Sequence, residues 1–119
     1  MEIKSYRDLI AWQKSMDLTL LVYSITETFP NKEMYTMVSQ MRRCGISVPS
    51  NIAEGHSRNN TGEFKQFLGI AYGSLAELET QVILSNKLGY IDTAKTNEIL
   101  ALASEVGKII NGIKNKLAQ

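Results

Sequence analysis

Glu54 and His56, with Glu77 and Glu79 further along, are the side chains of this 119-residue sequence best suited to acid–base or metal chemistry. Two-metal sites in helical bundles need glutamates together with paired Glu-x-x-His motifs. His56 is the only histidine, and it follows Glu54 by two positions, a spacing that points the two side chains apart on a helix. The three glutamates could hold a hard cation, yet carboxylates close to arginines are more often ion-paired. No nucleophile, base and orienting residue converge in the sequence, and no glycine-rich phosphate loop appears. The expectation is a protein that is not an enzyme, with no catalytic residue, metal or cofactor.

The stretch from Ser47 to Gly55 carries more information, because it sets Pro49 and the polar Ser47, Ser50, Asn51 and Glu54 inside an amphipathic helical pattern. A proline inside a helix removes a backbone donor and clashes with the preceding turn, at about 3 kcal/mol. Something in the folded or assembled state must offset that cost. At about 100° per residue, Gln40, Arg43, Ser47, Ser50, Asn51 and Glu54 share an arc of about 100°. Its uncharged middle suggests a packed, hydrogen-bonded seam rather than a wet face. Arg43 and Glu54 stand eleven residues apart, about 16 Å along a helix, so each is expected to find its partner on another helix or chain. Asp17 and Glu77 lie near the level of Arg43, and Glu77 is grouped with the seam.

Basic side chains supply a second candidate chemistry, the binding of phosphates. Lys14, Arg42, Arg43, Arg58, Lys65, Lys114 and Lys116 are the candidates for contact with RNA or DNA, through the backbone rather than the bases. A solvated face with structural ion pairs accounts for the same charges. No recognised RNA-binding motif is present, and no aromatic stacking platform is evident.

The elements that must position these residues are helices. Apolar residues recur at three- and four-residue spacing, no strand-like alternation appears, and punctuation falls near residues 29–32, 55–62 and 89–92. The pattern predicts helices over roughly 5–28, 32–56, 61–88 and 93–117, capped in turn by Ser5 with Asp8, by Asn31, by Asn60 with Glu63, and by Asp92, with Gly89 closing the third. Short connections make successive helices antiparallel, so the fold class is all-α, an up-down-up-down four-helix bundle in one domain over 1–119. The expected core stripes are Met34, Met37, Met41, Cys44, Val48 and Ile52 on the second helix and Phe64, Phe67, Leu68, Ala71, Leu75, Leu78 and Val82 on the third. On the fourth they are Ile99, Leu102, Val106, Ile109, Ile113 and Leu117.

Two features exceed the needs of a single bundle. On the first helix Leu9, Trp12, Met16, Leu20 and Tyr23 gather opposite Leu18, Leu21, Val22, Ile25 and Phe29, and a helix apolar on two faces is fully buried or touches another chain. The third helix carries a small-residue stripe of Gly69, Gly73, Ala76 and Thr80. Each interior glycine costs about 1 kcal/mol relative to alanine, which close helix–helix approach would offset.

Composition narrows the function classes. A net charge of +1 is not the field of a strongly basic nucleic-acid binder, although a local patch is compatible with it. The single Cys44 leaves no intrachain disulfide or zinc cluster and reads as a small core thiol. No basic and apolar leader is seen, and the most apolar run, Leu18 to Ile25, falls short of the ~20 residues that span a bilayer. A cytoplasmic protein without membrane contact is expected.

Trp12-Gln13-Lys14, Phe29-Pro30 followed by Glu33 and Tyr35, Gln40 with Arg42-Arg43, the Ser47 to Gly55 segment, and Gly73-Ser74-Leu75 followed by Glu77-Leu78-Glu79-Thr80-Gln81 together carry a resemblance. The chain resembles the four-helix-bundle family of proteins encoded by intervening sequences in bacterial 23S rRNA genes. That family is similar in turn to the accessory variability proteins of diversity-generating retroelements, small bundles that assist a reverse transcriptase and bind nucleic acid. The resemblance implies a ring-shaped homopentamer. Ser15 and Cys44 depart from the alanines expected there. Two functions follow as expectations: an oligomeric bundle that binds nucleic acid or a ribonucleoprotein through basic residues repeated around the ring, or a scaffold that holds a reverse transcriptase, a ribosomal component or another protein without touching nucleic acid.

Overall fold

Amphipathic helices joined by short turns can bury their apolar stripes only against one another. The computed structural model, which describes residues 3–118, shows four such helices: α1 (Ile10–Thr26), α2 (Ser39–Ser57), α3 (Thr61–Lys87) and α4 (Thr93–Leu117). Among the described residues there is no strand. Helix α2 packs on α1 and α3, and α4 packs on α3 and α1, which closes an antiparallel bundle measuring 44 × 25 × 21 Å. Its centre is built from Leu18, Val22, Met41, Val48, Ile52, Leu68, Leu78, Val82, Ile99 and Val106, all buried. Of the expected core, Met34 is exposed and Phe67 only half-buried. A π-helical turn, Met34–Val38, precedes α2, and its wider spacing breaks the three-and-four stripe at Met34. On α4, Ala103 and Ile110 are buried more deeply than Leu102, Ile109, Ile113 and Leu117.

The chain's cap residues fix most helix ends. Asn60 Oδ1 accepts the Glu63 N–H at 2.9 Å and Asp92 Oδ1 accepts the Lys95 N–H at 2.8 Å. Gly89, at φ +83°, lets the Gly89 and Tyr90 N–H groups turn back onto the Asn86 and Ser85 carbonyls, both at 2.9 Å, and so ends α3. Two expectations are corrected. Ser5 and Asp8 do cap each other, but they close a 3-10 turn over Tyr6–Asp8; Leu9 is extended, and α1 begins only at Ile10. Asn31 caps nothing, because it lies inside a 3-10 turn, Asn31–Glu33, entered from Pro30.

The glycines divide by role. A Cβ on Gly55 would lie 2.7 Å from Phe67 Cβ, and one on Gly107 would lie 3.3 Å from Leu75 Cδ2, so α2–α3 and α3–α4 approach closely there. The Gly69, Gly73, Ala76 and Thr80 stripe mediates no comparable approach within the chain. It faces outward, and Gly73 has open space around it.

Candidate functional site

Pro49 has no N–H to give to the carbonyl four residues back, that of Gly45. The Thr19 hydroxyl on α1 lies 2.8 Å from this carbonyl oxygen and 2.9 Å from that of Ser15, so its one proton is shared between them, and α2 continues through the proline without a break. The side chain that offsets the proline therefore comes from the neighbouring helix, and Thr19 stood outside every pattern legible in the sequence.

The polar arc resolves into four separate parts. In the middle, the Asn51 amide donates to the Ser47 carbonyl at 2.8 Å and to Ser47 Oγ at 2.9 Å, while Ser47 Oγ shares a 2.8 Å hydrogen bond with Ser74 Oγ of α3. This is the packed seam the uncharged residues suggested, with Ser74 as its unforeseen member. Ser50 is not part of it. It turns toward α1, where Trp12, Met16, Ile46 and Pro49 line an apolar groove of about 380 Å³. Glu54 is also corrected: it pairs with Arg58 one turn along its own helix, at 3.0 Å, and not with another helix or chain.

At the N-terminal end of α2, Tyr35, Ser39, Gln40, Arg43, Cys44 and Glu77 line a cleft of about 240 Å³. Arg43 and Glu77 share this cleft as their levels in the hairpin suggested, yet among the described residues neither forms an ion pair, and Asp17 forms none either. The Cys44 thiol donates to Glu77 Oε2 at 3.5 Å, and Gln81 Nε2 donates to the sulfur at 3.5 Å. Burial pushes the Cys44 thiol up, so it stays protonated as a core thiol does. Gln81 Oε1, behind it, is buried without a hydrogen-bond partner. Tyr35 stands 92% exposed at the rim, an aromatic platform that the π turn presents and that sequence spacing did not reveal.

The seven basic candidates do not form one patch on the chain. Arg42 is used structurally: its guanidinium lies 4.6 Å from the Tyr23 ring centroid and donates to Thr26 Oγ1 at 3.0 Å. Lys14 bridges α1 to α4 through Glu105 at 2.7 Å, and Arg58 is held by Glu54 beside the Phe67 ring. Arg58, Lys65, Lys114 and Lys116 do gather at one end, where α2 finishes, α3 begins and α4 finishes. Arg42 and Arg58 are about 24 Å apart along α2.

The carboxylates are dispersed as well. Glu79 lies in an α3–α4 hollow beside Ser104 and Lys108, where burial raises its carboxyl above the usual range. His56 belongs to the last turn of α2, with its ring edge-on to Phe64 at 5.6 Å. Among the described residues no three His, Cys, Asp or Glu side chains cluster as metal ligands, and no helix is long and apolar enough to cross a membrane.

Known proteins share this architecture. A crystal structure of a Bacteroides thetaiotaomicron protein of unknown function, from the S23 ribosomal protein family, superimposes with a TM-score of 0.80 over 88% of this chain and 98% of that one. At 22% identity the likeness is one of fold. Among curated proteins there is no match. The model of the 23S rRNA-intervening sequence proteins matches residues 7–112, which takes in all of α1, α2 and α3 and most of α4. On that match, and with the four-helix bundle it leads one to expect, the chain belongs to the 23S rRNA-intervening sequence protein family.

Proposed function

We propose that this protein is a self-assembling, non-enzymatic bundle that binds the backbone of RNA or DNA through basic side chains repeated around the assembly. The observation that carries the reading is the apolar surface left outside the core. Met16, Leu20 and Tyr23 on the outer side of α1, and Ile70, Tyr72, Ile83 and Leu84 on α3, are all exposed, Leu20 by 65%. Met16, Leu20 and Tyr23 follow one another at four- and three-residue spacing and form one outer stripe, whereas the α3 residues are spread over two sides of that helix; a continuous apolar stripe of the first kind marks a contact with another chain. The two surfaces lie on different helices of one bundle, so a contact of one against the other is heterologous, and heterologous contacts that close give rings. Five copies is the number the family resemblance implies. Each copy would bring its own Arg58, Lys65, Lys114 and Lys116 end, which multiplies a weak single-chain charge into several simultaneous phosphate contacts.

Light scattering combined with oligonucleotide binding tests both halves. The native chain is expected to run as an oligomer that Leu20→Glu converts to a folded monomer, and its affinity for single-stranded RNA is expected to fall linearly on a log–log plot against salt. Lys114→Glu with Lys116→Glu is expected to flatten that slope. A chain that is monomeric at every concentration sinks the assembly half; no binding at low salt sinks the other.

One observation favours a protein scaffold instead. Lys14 and Arg58 already spend their charge on Glu105 and Glu54, so fewer cations are free than the sequence offers. A partner protein, such as a reverse transcriptase or ribosomal component, that copurifies equally after nuclease treatment would support this second reading.

A further inference from the structure

The cleft between Arg43 and Glu77 has a composition that backbone binding does not use. A guanidinium and a carboxylate share about 240 Å³ without pairing. The only hydrogen bond to Glu77 among the described residues comes from the Cys44 thiol, and Arg43 makes none. Held apart in this way, the two charges leave room for a ligand with its own acceptors toward Arg43 and its own donors toward Glu77. The exposed Tyr35 ring at the rim adds a demand for a flat face.

Among the four bases, guanine meets all three demands. Its adjacent N1–H and N2–H groups match the two oxygens of a carboxylate, its O6 and N7 acceptors match a guanidinium fork, and its plane stacks on an aromatic ring. We propose that the Tyr35, Arg43 and Glu77 cleft holds one unpaired guanine of a single strand, with Glu77 accepting from N1–H and N2–H, Arg43 donating to O6 and N7, and Tyr35 stacked on the base. A base-paired guanine is excluded, because its N1–H and N2–H groups already face cytosine. This deepens the nucleic-acid reading above and rests on it: phosphate contacts supply affinity, and the cleft supplies base preference.

The full-length protein is titrated with short labelled oligouridylates carrying one central guanine, inosine or adenine, and separately with guanosine 5′-monophosphate followed by NMR. The guanine strand is expected to bind about tenfold more tightly than the adenine strand, with inosine, which lacks the N2 amino group, between them. Glu77→Gln and Arg43→Lys, both at exposed positions, are expected to remove that preference while the salt-dependent binding of oligouridylate persists. Tyr35→Ala is expected to weaken the guanine strand without reordering the three. Equal affinity for all three strands, with strand binding intact, overturns the cleft assignment and leaves the backbone reading standing. Where no strand binds at low salt, the mononucleotide decides: resonance shifts confined to Tyr35, Arg43 and Glu77 uphold the cleft, and their absence overturns it.

Discussion

Thr19 Oγ1 lies 2.8 Å from the Gly45 carbonyl oxygen and supplies the hydrogen bond that Pro49 cannot. Gly45 is buried, and a Cβ there would sit 3.7 Å from the Thr19 side chain, so the two helices meet at this point without strain. Thr19→Val keeps the shape and removes the donor, leaving a buried carbonyl unpaired. A loss of about 1–3 kcal/mol is expected. In the Thr19→Val, Pro49→Ala double variant residue 49 recovers its N–H, and most of that loss should disappear in urea titrations. Simple additivity of the two changes would refute the linkage.

Gly55 and Gly73 give opposite predictions for the same substitution. Gly55→Ala drives a methyl to within 2.7 Å of Phe67 Cβ and 3.0 Å of Phe64 Cδ1, so α2 and α3 must separate, at about 1–3 kcal/mol. Gly73→Ala meets open space on the outer side of α3 and should stabilise an isolated bundle by up to about 1 kcal/mol. Thermal unfolding of dilute protein separates the two signs, and a Gly73→Ala chain less stable than the parent would contradict the open surface.

Ser47, Asn51 and Ser74 should behave as one unit. Ser74→Ala and Asn51→Ala are each expected to cost about 1 kcal/mol, and because both partners converge on Ser47 Oγ, the double variant should cost less than the sum of the singles. Fully additive unfolding energies would mean that the two hydrogen bonds are independent.

Tyr90 donates to Glu33 Oε2 at 2.7 Å and joins the α3–α4 connection to the 3-10 turn Asn31–Glu33 between α1 and α2. Hydrogen bonds from Thr36 first and Tyr90 second hold the Glu33 carboxyl below its usual range, and the same contact holds the Tyr90 phenol above its own. The carboxylate's contribution is therefore present above its unfolded pKa and lost as pH falls through the lower folded value. The phenol's is present below its unfolded pKa and lost as pH rises through the higher folded one. Tyr90→Phe should be less stable than the parent near neutrality, and the gap should narrow at both extremes. Melting curves followed by circular dichroism across pH would expose a constant gap, which the linkage forbids.

Local chemistry was the legible part of this fold. Asn60, Gly89 and Asp92 mark helix ends because their caps depend on neighbours within a few residues, and the Ser47 seam was visible as an arc without charge. Of the relations between helices only the shared level of Arg43 and Glu77 was legible, since the others depend on finer axial offset: Thr19 beneath Gly45, Phe67 against Gly55, and Ser74 opposite Ser47. Glu54 was misassigned for a different reason. Its partner Arg58 sits at the ordinary four-residue helical spacing, so the pair is local and needs no second helix. The cleft escaped because the π turn, which no spacing rule anticipates, places Tyr35 beside Arg43.

The antiparallel path of α1 to α4 also decides how the protein can be handled. Helix α1 starts, and α4 finishes, at the end of the bundle that carries Arg58 and Lys65, whereas Gly89 turns the chain at the opposite end. Tags or surface tethers fused to either terminus would crowd the basic end, and a label inserted beside Gly89 would leave it clear. On the nucleic-acid reading proposed above, the protein immobilised through its termini should register weaker nucleic-acid capture than the same chain held at the Gly89 turn.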